Sequence, residues 1–146
     1  MTWTWDTLTR ADGQTFRELM RSGATPDPER ILGDTFRGLN RGLLPKLTGE
    51  RFHKVFGQEG GEPFGHNIVE RDGRPVELGW FRVGSSGRAM RFDYNDARNR
   101  GLYLPLRGLK DDVVLPNPGD HDLLLGRARL FGLRVAYFVL ERERPG

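Results

Sequence analysis

The chain contains no cysteine. Disulfides, thiolate metal sites and a cysteine nucleophile are thereby excluded. Lysine is almost missing too, occurring only at Lys46, Lys54 and Lys110, so nearly all the positive charge is arginine. Serine is confined to Ser22, Ser85 and Ser86, and none of the three sits in a strand-to-helix elbow of the kind that activates a hydroxyl. No stretch approaches the roughly 20 apolar residues needed to span a bilayer. The first residues, Met1-Thr-Trp-Thr-Trp-Asp6, have neither a basic start nor an apolar run. No Sec-type signal is expected, and the reading is a cytoplasmic protein.

What is present suits a single globular domain. The 146 residues are 36% hydrophobic and 29% charged, far from the composition of a disordered chain. The 20 glycines and 9 prolines are scattered as punctuation, which fits many tight turns. The net charge of +3 is carried by arginines interleaved with acids, as in Glu70-Arg71-Asp72 and Glu141-Arg142-Glu143-Arg144. That pattern reads as a solvated surface rather than a nucleic-acid face.

The first third favours helices. Thr15-Phe-Arg-Glu18 has the form of a capping box, with Phe16, Leu19 and Met20 at helical spacing and Gly23 as a stop. Thr25-Pro-Asp-Pro-Glu29 opens a second short helix through Leu32. Trp3 and Trp5 are expected to pack this N-terminal segment onto the rest. From Asp34 the pattern becomes short apolar or alternating runs between turns. Strands are expected at 35–40, 51–56, 64–70, 76–83, 89–94, 102–109, 113–115, 123–130 and 133–142. Arg71-Asp-Gly-Arg74, Gly84-Ser-Ser-Gly87 and Phe131-Gly132 read as hairpin connections. Met90, Phe92 and Tyr94 share one strand face. The last strand is apolar on both faces, with Tyr137 and Val139 on one and Ala136, Phe138 and Leu140 on the other. The expectation is a mainly β protein, an antiparallel up-and-down lipocalin-like barrel of eight or nine strands (33–142) with a helical segment (1–32) packed outside.

Several segments together resemble a bacterial domain of unknown function named for a G-x-W-x-G motif, a lipocalin-like (calycin) barrel. They are Gly33-Asp-Thr-Phe36-Arg-Gly38 with Phe at the Trp position, Thr48-Gly-Glu-Arg-Phe52, Gly87-Arg-Ala-Met-Arg-Phe-Asp-Tyr94, Leu106-Arg-Gly-Leu-Lys-Asp-Asp112, Leu125-Gly126 and Tyr137-Phe-Val-Leu-Glu-Arg142. A fainter likeness, through Glu77-Leu-Gly-Trp-Phe-Arg82, is to the haem-binding nitrobindin barrels. The first resemblance implies a barrel; the second implies haem held by an axial histidine, for which His66 or His121 would have to serve.

No catalytic constellation emerges. Asp120-His121-Asp122 could hold a metal only from a loop, because neighbours on a strand point to opposite faces. Asp111-Asp112 and Glu59-Gly-Gly-Glu62 sit in what read as turns. The more informative residues are polar groups on otherwise apolar strands: His66, Arg82 and Arg127. An arginine inside a barrel would need an anionic partner, which a ligand carboxylate could supply.

The sequence therefore favours a non-enzymatic barrel that binds a small apolar or amphipathic molecule, anionic in one version. The candidate pocket is Trp80, Arg82, Phe92, Tyr94, His66, Arg127 and Tyr137. No metal and no cofactor are expected on this reading. Haem is the cofactor of the second reading, and a filled barrel acting as an interaction or assembly module is the third. A homodimer is compatible with all three. Cavity size separates the first from the third: an interior void below roughly 100 Å³ would sink small-molecule binding, since ligand pockets usually reach about 300 Å³ or more.

Overall fold

A computed structural model describes residues 2–42 and 50–144. Eight strands run in chain order: β1 Thr35–Gly42, β2 Arg51–Glu59, β3 Glu62–Arg71, β4 Arg74–Ser86, β5 Ala89–Asp93, β6 Leu109–Val114, β7 Leu123–Leu130 and β8 Leu133–Arg142. Each pairs antiparallel with the next, and β8 returns to β1, so the sheet closes into an up-and-down barrel. Closure removes the unpaired edges that an open sheet would expose.

The turns explain the order. At Asp72 and Gly73 the backbone has φ of 52° and 75°, the two left-handed positions a type I′ hairpin needs. Phe131 and Gly132, at 50° and 83°, make the same turn between β7 and β8. The connection after β4 uses Gly87 and Arg88, so Ser85 and Ser86 belong to the strand rather than the turn.

Large rings fill the interior because small residues face them. Gly38 pairs with Phe52, Gly65 with Phe81, and Gly126 with Phe138. A Cβ at any of these glycines would run into the partner's ring. Phe36, Phe56, Phe81 and Phe92 are wholly buried and in mutual edge or stacked contact.

Two helices, α1 (Trp5–Thr9) and α2 (Gly13–Ser22), cover part of the outside. Leu8, Phe16 and Met20 press on Val114, Leu123, Leu125, Tyr137 and Val139, with Trp3 and Trp5 at the border. The doubly apolar β8 is thus accounted for: one face lies in the barrel, the other under the helices. No described helix is long and apolar enough to cross a membrane.

Three expectations are corrected. The α2 cap is Asp12, whose carboxylate accepts from the Thr15 N–H at 2.8 Å; the Thr15–Glu18 capping box does not form. The second helix shrinks to a single 3₁₀ turn, Pro28–Arg30. Residues 102–108 are no strand, and only Leu109 of the expected one joins β6: Gly101–Gly108 is a 3₁₀ helix, because Pro105 has no N–H to give a sheet ladder. Of the Thr48–Phe52 segment, Thr48 and Gly49 lie outside the described residues.

Candidate functional site

Alternation along β2 sends Phe52, Lys54 and Phe56 into the barrel. Lys54 is therefore a charged side chain in an apolar wall, and it is 2% exposed. Its Nζ donates to Asn67 Oδ1 at 2.7 Å and to the Tyr94 hydroxyl at 2.8 Å. Tyr94 passes its own proton to Asp111 Oδ2 at 2.8 Å, and Asn67 is held by donating to the Gly79 carbonyl at 3.0 Å. Lys54 Nζ and Asp111 Oδ2 are 3.8 Å apart. Strands β2, β3 and β6 and the residue after β5 each contribute one member. The rings of Phe52, Phe81, Phe92, Tyr94 and Phe138 stand 4.8–5.5 Å from the ammonium, close enough for cation–π attraction.

Burial controls the electrostatics. Loss of water pushes Lys54 down to about 8, against the pull of the Asp111 charge. The same loss pushes Asp111 up to about 6, opposed by Lys54 and by the Tyr94 hydrogen bond. Tyr94 rises well above its ordinary value, first from burial and then from the neighbouring carboxylate. Asp111 Oδ1 is buried with no hydrogen-bond partner among the described residues. A carboxylate oxygen left so is costly unless something else donates to it.

The four polar residues, together with Asn40, line a cavity of about 60 Å³ whose apolar wall includes Leu106, Leu109, Leu130, Val135, Ala136 and Phe138. At about 10–15 Å³ for each water-sized group, it accommodates a few heavy atoms. The volume lies below the 100 Å³ bound, which counts against a carrier of ordinary small molecules and leaves no room for a lipid-like acid. The cause is the phenylalanine cluster that fills the neighbouring part of the interior.

The candidate pocket residues separate into two sets. Phe92 and Tyr94 are inside. His66 and Trp80 stack on the outer face, ring centroids 4.3 Å apart, with Arg98 above Trp80. Burial lowers the His66 pKa. Arg82 is exposed. Arg127 is on the outer wall, 3.5 Å from Asp112. Tyr137 is buried, but under Phe16 of α2 rather than in the cavity. The expected arginine–anion pair inside the barrel is thus replaced by a lysine–aspartate pair. The remaining sequence candidates have structural partners. His121 Nε2 accepts from the Asp27 N–H at 2.8 Å, and Asp122 pairs with Arg142 and Arg144. Neither His66 nor His121 reaches the cavity, and its size does not accommodate a porphyrin, so the residues present do not fit haem.

Sequence reasoning passed over Lys54, Asn67 and Asp111 as site residues. The signal was there for Lys54, a lone cation at the centre of Phe52-x-Lys-x-Phe56.

Fold and site together define a closed eight-stranded antiparallel barrel with a buried cation–carboxylate pair lining a small cavity. No protein-family model matches the chain, and no curated protein matches it either.

Proposed function

We propose that this barrel binds a compact small molecule whose polar head bridges Lys54 and Asp111. The observation that carries the reading is Asp111 Oδ1, buried at a cavity-lining residue with no hydrogen-bond partner among the described residues, near an ammonium with a proton to spare. A head with one donor and one acceptor, such as a carboxamide or a hydroxyl, complements that pair. Its apolar body would lie among Leu106, Leu109, Leu130 and Phe138. The resemblance of residues 33–142 to lipocalin-like GXWXG barrels belongs to the same proposal.

Native mass spectrometry beside a denaturing run, joined to a titration with acetamide followed by amide chemical shifts, tests it. The expected result is a mass excess lost on denaturation, or saturable shifts centred on β2, β5 and β6. Equal masses together with no saturable shift overturn it. The small volume favours a second reading, a filled barrel that serves as an assembly module. A stable oligomer by light scattering, with no acetamide response, is the outcome that reading expects.

A further inference from the structure

We infer that Lys54 is a nucleophile that captures small aldehydes or ketones as an imine. The inference rests on the cavity being a ligand site and names the chemistry of that site. Three observations lead to it. The amine lines an apolar cavity with room for a few heavy atoms, the size of the smallest carbonyl compounds. Its Nζ is hydrogen-bonded to Tyr94, and Tyr94 to Asp111, so a chain of two hydrogen bonds joins the amine to an acid. The far oxygen of that acid has no hydrogen-bond partner among the described residues.

A proton can pass from Lys54 to the Tyr94 oxygen as the Tyr94 proton passes to Asp111. This leaves a neutral amine and a carboxylic acid. The amine lone pair then forms the C–N bond while the carbonyl π pair moves to oxygen, which takes the Asp111 proton. The nitrogen returns one proton to Asp111. Asp111 next protonates the carbinolamine hydroxyl, the C–O bond breaks, water departs, and the nitrogen lone pair closes the C=N bond. The sum is ammonium plus carbonyl giving protonated imine plus water, with Asp111 a carboxylate at both ends. The burial that pushes Lys54 down to about 8 raises the fraction of free amine near neutral pH.

The scarcity of lysine makes the test clean, since only Lys46, Lys54 and Lys110 and the chain terminus can compete. The folded protein is incubated with acetaldehyde and cyanoborohydride, and alkylated positions are read by peptide mapping. Lys54 is expected to label at least about tenfold faster than exposed Lys110 at pH 7. Its rate should level off above pH 8, while that of Lys110 keeps climbing. Tyr94→Phe, which retains the ring and removes the relay, should slow Lys54 labelling and leave Lys110 unchanged. Labelling of Lys110 as fast as Lys54, or of Lys54 not at all, overturns the inference. Acetamide binding separates the two failures. If acetamide binds and Lys54 does not label, only the imine is lost; if neither occurs, the cavity reading falls with it.

Discussion

The inner and outer walls of β6 treat two consecutive aspartates in opposite ways. Asp112, on the outer wall, accepts from Arg91 Nε at 2.8 Å and Nη2 at 3.1 Å, and Arg127 lies beside it. Both cations come from cross-strand neighbours of Asp112 on β5 and β7. Asp111, on the inner wall, has one bonded oxygen and one without a partner among the described residues, and its carboxyl is pushed up to about 6. The residue type is the same and both are buried, 2% and 6% exposed; the difference is access to arginine. Outside, arginines on flanking strands complete a carboxylate at low cost. Inside, a single lysine must do so, and it brings its own desolvation. The outer pair is a stabilising contact, whereas the inner pair is an incomplete one that a ligand can complete.

The largest expected effect tests that contrast directly. Lys54→Met leaves Asp111 buried without its cation and should cost about 3–5 kcal/mol by urea unfolding. The double variant Lys54→Met/Asp111→Leu removes both charges and should recover much of that loss. A double variant no better than the single one would mean the pair is worth more than its burial costs.

The next effect is in the pH profile. Between about 6 and 3.8 folded Asp111 holds a proton that the unfolded chain has released, so its contribution to stability rises as pH falls through this window. Between about 8 and 10.5 the unfolded chain holds a Lys54 proton that the folded protein lacks, so stability rises with pH there. For this pair stability is least between pH 6 and 8. The acidic limb should vanish from the stability profile of Asp111→Asn, measured as urea midpoints across pH. An unchanged limb would place the titration elsewhere.

Smaller effects belong to the outer wall. Asp112→Ala breaks an ion pair between a buried carboxylate and a partly exposed arginine and should cost about 1–2 kcal/mol in the same assay, well below the Lys54 variant. Arg82→Ala, at an exposed position, should stay within about 0.5 kcal/mol. A loss from Arg82→Ala comparable to that from Asp112→Ala would blur the distinction between the two walls.

Period-two alternation carried much of the fold. It put Met90, Phe92 and Tyr94 on one face, and that face is the interior. It gave β8 two apolar faces, and both found apolar neighbours. The site was less legible. Treating residues 102–109 as a strand left Asp111-Asp112 to be read as a turn, although both sit within β6. Arg127 looked like an interior candidate because alternation groups residues by face without saying which face is inward; Arg82 did because a register shift between β3 and β4 breaks the alternation, leaving Leu78 inside and Trp80 and Arg82 outside.

The hairpin turns, the alternating strands and the glycines that admit aromatic rings are local properties, set by backbone sterics and side-chain period, and the sequence alone determined them. Which side chains meet in the cavity was decided only by closure of the barrel. Lys54, Asn67, Tyr94 and Asp111 span 57 positions of chain yet converge within hydrogen-bonding reach. No local rule links them. Their burial, and the shifted acidity that follows from it, exist only once eight strands have shut out water.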